Sequence, residues 1–368
     1  MVAQRSFVWS KMQTPPISFK KIAMFTDIHF GRRSNSRVHN QDCLDFVIWF
    51  CNQIKDGQYT HIAFLGDWFE SRSAINIETL EYSYKALQLL NEVGLPVYFC
   101  VGNHDLHRRT TRDVHSVRMF NEMSNFVVID KPTVVDNLLF SPFLFEEEYA
   151  QLIKHNELWA FLGHFEFRNF ILTGHSKVAE HGPDHHLFQG PKKIFSGHFH
   201  KRQSQDNVVY TGNAFPMDFG DAGDYERGLC TYYVEEDRVT FTNWSDCPKY
   251  YKTTLSKVIA DEWKPLPKMK VKCTIDAELG YQEAQELRDA MIAAYDLREF
   301  ALEEDRALKQ GLLEGDNCKV EETLLDFSSI DDLVVKQLET VVGDKKTMID
   351  GKLLVEIYKS LPAEAESV

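Results

Sequence analysis

The sequence predicts an α/β (α+β) protein: a two-sheet sandwich flanked by helices, followed by a small α/β cap domain and a C-terminal helical pair. Three observations carry that expectation. Three strand–helix units follow one another toward Gly102-Asn103-His104-Asp105, and each strand ends in polar residues, the pattern of an α/β sheet with its site on the strand C-terminal edge. Two later apolar runs end in Gly163-His164 and in Ser196-Gly197-His198-Phe199-His200. Residues 207–258 then alternate apolar and polar with frequent turns, which reads as the second sheet of the sandwich.

Taken in order, residues 1–20 form an extension and Lys21 to Thr26 a buried strand that delivers Asp27-Ile28-His29. In extended chain a D-x-H triplet puts both side chains on one side, because strand side chains alternate. A helix over about 39–54 leads to a strand at 60–65 ending in Gly66-Asp67-Trp68-Phe69-Glu70. Leu80, Tyr84, Leu87 and Leu90 give 76–93 helical spacing, closed by Gly94-Leu95-Pro96. Val97 to Val101 is the third strand and presents Asn103 and His104. After the runs Trp159 to Leu162 and Lys193 to Phe195 and the alternating stretch, Trp263-Lys264-Pro265-Leu266-Pro267 reads as a linker. Met269 to Ile275 is a strand, 281–297 an amphipathic helix and 298–303 a further strand; 304–329 has little periodicity. Helices follow at about 330–342, with Leu333, Val334, Leu338 and Val341 on one face, and 346–361, with Ile349, Leu353, Ile357 and Leu361.

At 368 residues, 43% hydrophobic and 26% charged, the composition is that of a globular protein of two or three domains. Seven scattered cysteines without a C-x-x-C pair make neither a disulfide framework nor a zinc knuckle, so reduced thiols in a cytoplasmic setting are expected. No apolar run is long enough to span a membrane, and the opening residues lack the apolar core of a signal peptide. The net charge of −14 is concentrated from Asp261 onward, so the overall acidity says little about the face that carries the polar strand ends.

Those strand ends collect Asp27, His29, Asp67, Asn103, His164, His198 and His200. Carboxylate, amide oxygen and imidazole together suit Mn, Fe or Zn better than Ca or Mg alone. Seven ligands are too many for one ion and suit two, with Asp67 on the central unit as the bridging carboxylate. Two ions roughly 3.5–4 Å apart activate a water and stabilise both oxygens of an in-line displacement at phosphorus. Glu70 and Asp105 read as residues that orient the site rather than as ligands. Arg32, Arg33, Arg37, Arg108, Arg109 and Arg112 lie just after ligand-bearing turns and are candidate DNA phosphate contacts. His175, His181, His185 and His186 read as a solvated loop over the site rather than a further metal site.

D-x-H (27–29), G-D-x-x-E (66–70), G-N-H-D (102–105), G-H (163–164) and G-H-x-H (197–200), in this order, resemble the calcineurin-like metallophosphoesterase superfamily. V-G-N-H-D-L-H (101–107), S-G-H-F-H (196–200), Tyr210-Thr211-Gly212-Asn213 and Arg227-Gly228 bring the resemblance closest to SbcD-type DNA repair nuclease subunits, particularly the small recombination endonuclease subunits of T-even-like phages. It covers about 20–260. It implies a metallophosphoesterase sandwich with Asp27, His29 and His200 on one metal, Asn103, His164 and His198 on the other, Asp67 shared, and His104 as the catalytic histidine. Mn is the expected ion, with Mg or Fe as alternatives.

The resemblance further implies an exonuclease/endonuclease subunit of a double-strand break processing and recombination complex, acting on double-stranded DNA ends. On that reading 1–20 is an extension, 21–260 the nuclease domain, 268–312 a DNA-positioning cap, 313–329 a linker and 330–368 a helical region. This last region, through Leu333, Leu338, Leu353 and Ile357, would bind an SbcC/Rad-fifty-like ATPase subunit. A homodimer through 76–93 or 113–122 is expected, with no membrane association and a host bacterial cytoplasm if phage-encoded. The alternatives are a phosphomonoesterase or small-molecule phosphodiesterase of the same superfamily, and a non-catalytic DNA-binding scaffold. N-H-D and Trp68-Phe69-Glu70 differ from the N-H-E and V-D-R-like turns of phosphoprotein phosphatases, and the complete ligand set argues against a scaffold.

Overall fold

The central strands are apolar on both faces because both faces are covered. The computed structural model describes residues 16–172, 178–263, 265–277 and 279–304. In chain order the strands are β1 (Lys21–Phe25), β2 (His61–Phe64), β3 (Val97–Cys100), β4 (Leu106–Arg108), β5 (Thr111–His115), β6 (Phe126–Ile129), β7 (Thr133–Val135), β8 (Leu138–Ser141) and β9 (Ala160–Gly163). They continue as β10 (Lys193–Ser196), β11 (Gln203–Gln205), β12 (Val208–Tyr210), β13 (Gly228–Tyr233), β14 (Arg238–Asn243), β15 (Lys249–Thr254), β16 (Met269–Ile275) and β17 (Glu299–Glu304). One six-stranded sheet runs β14-β13-β1-β2-β3-β6, and a second runs β11-β12-β10-β9-β8-β7.

Between the sheets lie Ile22, Met24, Ala63, Leu65, Phe140, Leu162, Phe195 and Tyr232, all buried. The alternate residues Ala23, Phe25, Ile62, Phe64 and Phe99 face the helices Arg37–Ile54 and Ile77–Glu92 and pack on Phe46, Phe50 and Leu87. The second sheet is covered likewise: Phe161, Ile194 and Tyr210 pack against Tyr149, Phe167 and Phe188. Each fully buried large apolar side chain is worth about 1.5–3 kcal/mol, so this two-sided burial is what holds the strand ends in place.

Several expectations change. The 207–258 pattern suggests one sheet, but only β11's partner β12 joins the second sheet from this stretch. β13 pairs antiparallel with β1, and β14 pairs with β13. β15 pairs parallel with β16, so Lys249–Thr254, upstream of the Pro-rich stretch 263–267, joins a separate three-stranded sheet β15-β16-β17. Alternation reports half-burial, not which sheet a strand joins. Residues 113–122 are not a helix: β5 ends at His115 and only a short 3-10 turn covers Arg118–Glu122. On the helix Ile77–Glu92, Leu80 and Tyr84 are exposed, and Thr79, Ser83 and Ala86 join Leu87 and Leu90 on the buried face. Phe19, from the expected extension, is fully buried against His61 and Phe140.

The β15-β16-β17 sheet region meets the first sheet's helices and turns through Arg298, whose Nη1 lies 2.7 Å from Asp42, and through Arg33 over the Tyr250 ring. Among the described residues the cysteines are free, and no helix is long and apolar enough to cross a membrane. Residues 1–15, His175, the linker 313–329 and the region 330–368 with Leu333, Leu338, Leu353 and Ile357 lie outside the described residues.

Candidate metal centre

The seven polar strand-end residues converge, but not by strand alternation. β1 stops at Phe25, and Asp27 (φ 50°) and His29 (φ 52°) sit beyond it in the left-handed region, as do Asp67 (φ 60°) and His198 (φ 81°). Non-glycine residues there are uncommon and strained. Four such residues, three past β1 and β2 of the first sheet and one past β10 of the second, mean that the surrounding hydrogen bonds hold them there. The N–H of Ile28 donates to Asp67 O at 3.1 Å, and that of Phe30 to Trp68 O at 2.8 Å, locking the β1 and β2 turns together. Gly66 (φ 108°) is obligatory on two counts, since a Cβ there would also collide with the His164 ring.

Two groups result. Asp27, His29 and His200 bring ligand atoms within 4.8 Å of one another, and so do Asp67, His164 and His198. Asn103 completes the second group, its Oδ1 2.9 Å from both His164 Nε2 and His198 Nδ1. Asp67 faces both groups: Oδ2 is 3.8 Å from His29 Nε2 and 3.4 Å from His164 Nε2. His29 Nε2 lies 3.2 Å from His200 Nε2, and Asp27 Oδ1 is 3.8 Å from each.

The donor chemistry fits cations. His29 Nδ1 sits 2.8 Å from Glu70 Oε2, and His164 Nδ1 2.6 Å from Leu65 O. His164 commits its Nδ1 proton to Leu65 O and the Glu70 carboxylate faces His29 Nδ1, so both rings turn Nε2 inward, the arrangement that fixes a ligating imidazole. Those nitrogens face carboxylate and amide oxygens, and acceptors gathered on acceptors are stable only around positive charge. Burial opposes a charged His164, yet the facing Asp67 carboxylate raises it to about 9. Burial likewise opposes charge on His29, while the Glu70 carboxylate facing its Nδ1 raises it, and Asp67 is held well below the usual carboxylate range by His164 and His29 against its own burial. Asp27 moves up, through burial. A divalent ion would take over the neutralising role of those protons.

The supporting residues are specific. Asp105 accepts four backbone N–H groups, from Asp67 at 3.1 Å, Trp68 at 3.0 Å, Phe69 at 3.2 Å and Gly102 at 2.9 Å. Glu70 accepts from Arg32 at 3.4 Å as well as facing His29. The His104 N–H donates to Asp67 Oδ1 at 2.8 Å and its Nδ1 bonds Glu70 O at 2.9 Å, so Nε2 is left for a reacting group; burial lowers its pKa. His29, Glu70 and His104 also form a ligand-spaced set.

Two contributors carry no motif. Thr26 Oγ1 donates to Asp27 Oδ2 at 2.6 Å, and Glu166 Oε1 approaches His198 Nε2 at 3.9 Å. Glu166 stands two residues after His164, and that is the only sequence signal for it.

The arginines separate. Arg112 is committed to the fold: Nη1 donates to Glu148 Oε2 at 2.7 Å and Phe143 O at 2.8 Å, and Nε to Asp130 O at 3.1 Å. This corrects its reading as a free phosphate contact. Arg32 is half-buried between Glu70 and Asp218, Arg37 pairs with Glu78, and Arg33 lies over Tyr250. Arg108 and Arg109 are exposed beside the site, and Arg109 lines a cavity of about 440 Å³ with Phe143, Glu166 and His181. The expected solvated loop is only partly so: His181 and His186 are exposed, but His185 is fully buried.

Sandwich, strand-edge turns and paired ligand groups define a metal-dependent phosphoesterase architecture. Residues 20–202 match the calcineurin-like phosphoesterase family, and the chain carries a calcineurin-like metallophosphoesterase domain. Exonuclease subunit 1 of Enterobacteria phage T4 is 30% identical over 202 residues, 52% of this chain and 58% of that protein, so the match spans little more than half the length of this relative. A dimetal phosphatase from Danio rerio is 10% identical, covering 62% of this chain and 96% of its own, with a TM-score of 0.38. The nuclease MPE of Pseudomonas putida is 13% identical over 60% of this chain and 87% of its own, with a TM-score of 0.30.

Proposed function

We propose that this protein is a two-metal DNA phosphodiesterase, the exonuclease/endonuclease subunit of a double-strand break processing and recombination complex. The observation that carries this reading is the pair of acceptor-lined groups sharing Asp67, with His104 beside them. In it Asp27, His29 and His200 would hold one divalent ion and Asn103, His164 and His198 the other, with Asp67 available to both; Mn suits this mixed donor set. Bound ions would supply an activated water and charge neutralisation at the phosphate.

The chain's own residues do the rest. Asp105 fixes the turn from which Asp67 projects, and Glu70 orients His29 by facing its Nδ1 at 2.8 Å. His104, held at Nδ1 by Glu70 O, presents Nε2 to the scissile phosphate or to the departing sugar oxygen, which needs a proton because an alkoxide leaves poorly. Such general-acid help contributes about 10²–10⁴-fold. Arg108 and Arg109 supply sequence-independent phosphate contacts.

The partner proposals are an ATPase subunit of the SbcC type, bound through 330–368, and a homodimer. The similarity to an exonuclease subunit supports a multi-subunit setting.

The test offers the protein end-labelled linear duplex DNA, an artificial phosphodiester and a phosphomonoester, each with Mn²⁺ and with chelator. Metal-dependent loss of DNA supports the reading. Monoester turnover with intact DNA would assign a phosphomonoesterase. A chain lacking 330–368 should keep this cleavage and lose ATPase binding; retained binding would remove the partner assignment.

A further inference from the structure

At the opposite sheet edge lies a second group of ligand-bearing side chains, Asp184, His185 and His186, with Asp206 facing them. His185 and His186 open a short 3-10 turn, His185–Phe188, and Asp206 sits in the turn between β11 and β12. β12 runs parallel to β10, so this turn is at the strand starts, away from the His164 and His198 end. Asn207 pins it, its Nδ2 donating to Phe188 O at 2.8 Å and Pro191 O at 2.9 Å.

The two imidazoles lie side by side, ring centroids 4.1 Å apart, and the same two carboxylates face both. His185 Nε2 is 2.8 Å and His186 Nε2 3.5 Å from Asp206 Oδ2. His186 Nδ1 is 2.6 Å from Asp184 Oδ1, while His185 Nδ1 faces that oxygen at 3.8 Å. His185 is fully buried, and its Nδ1 has no hydrogen-bond partner. Arg168 holds only the other Asp184 oxygen, Oδ2, at 3.2 Å.

Proton counting shows what is missing. Carboxylates only accept, and each neutral imidazole brings one N–H. With His185 donating to Asp206 and His186 to Asp184, each ring still points a bare nitrogen at a carboxylate. For the buried His185 nitrogen, an acceptor facing an acceptor is costly unless a cation lies between them. Zinc accepts both imidazole nitrogen and carboxylate oxygen in a four-coordinate site, and the protein supplies two of each here, leaving no open position.

We propose that Asp184, His185, His186 and Asp206 form a structural site for a divalent transition ion, zinc in chemical class, clipping the 184–190 segment to the β11–β12 turn. The site is separate from the catalytic-side ligands and does not depend on the nuclease reading.

The test compares the full chain with His186→Gln and Asp206→Asn, all stripped with chelator and reloaded with Zn²⁺ or Co²⁺. His186 is exposed, so its replacement leaves the core intact. Elemental analysis should find one further zinc equivalent in the parent than in either variant. Co²⁺ should give ligand-field bands in the parent that both variants lose, and Zn²⁺ should raise the parent's melting temperature more than theirs. Mn²⁺-dependent phosphodiester hydrolysis should persist in His186→Gln. Equal metal content and equal Co²⁺ spectra in all three would overturn the proposal and leave a hydrogen-bonded imidazole–carboxylate network, charged by protons alone.

Discussion

The carboxylate of Asp105 accepts the backbone N–H of Asp67 at 3.1 Å, so the residue that joins the two ligand groups is aimed by one two positions past Asn103. Asp105→Asn keeps the size and turns one acceptor into a donor facing backbone N–H groups. Leaving such groups unpaired costs roughly 1–3 kcal/mol, so the variant should melt several degrees lower. It should also bind Mn²⁺ more weakly by calorimetry, because the Asp67 turn loosens. Unchanged Mn²⁺ affinity would mean that Asp105 serves the fold alone.

His104 hydrogen-bonds Asp67 through its backbone N–H. Replacing its side chain should therefore spare metal binding. His104→Ala should lower kcat by about 10²–10⁴-fold at full Mn²⁺ content by elemental analysis. Loss of metal in parallel with activity would recast His104 as a ligand, as its closeness to His29 and Glu70 allows.

Arg108 and Arg109 are exposed, whereas Arg112 is bound to Glu148 and to backbone carbonyls. Charge reversal of the first two should weaken duplex binding and flatten its salt dependence, by about 0.9 in log–log slope for each phosphate no longer neutralised. Arg112→Ala should lower the melting temperature with no change in that slope. Equal slopes for both variants would remove the phosphate role.

His61 packs on Phe19 with ring centroids 4.0 Å apart, and burial lowers its pKa to about 4. The unfolded chain takes up that proton near pH 6.5. Its contribution is therefore fully present above about pH 6.5 and is lost as pH falls toward the folded value. In urea unfolding between pH 7 and pH 4.5, His61→Phe should show a shallower acid decline than the parent. Parallel curves would show that His61 does not couple folding to protons.

Much of this site is readable from residues 27–29, 66–70, 102–105, 163–164 and 197–200, because each motif follows a strand buried on both faces. How Asp27 and His29 come together is not readable: left-handed backbone, set by hydrogen bonds to the neighbouring turn, replaces strand alternation. Glycines such as Gly102 and Gly197 announce turns, yet their deeper role is room, since a Cβ at Gly102 would strike Asp67 and one at Gly197 would strike Thr26. Strand membership after β12 depends on pairing across the chain, to which an alternating pattern is blind. The burial of His185 and the capture of Arg112 depend on distant partners, Asp206 and Glu148, that no local pattern names.

The central claim is that Asp67 joins two ligand groups into one dinuclear centre. Anomalous diffraction at the manganese edge from Mn²⁺-soaked crystals tests it most directly. Two peaks should flank Asp67, one among Asp27, His29 and His200 and the other among Asn103, His164 and His198. A single peak, or two peaks of which only one touches Asp67, would contradict it.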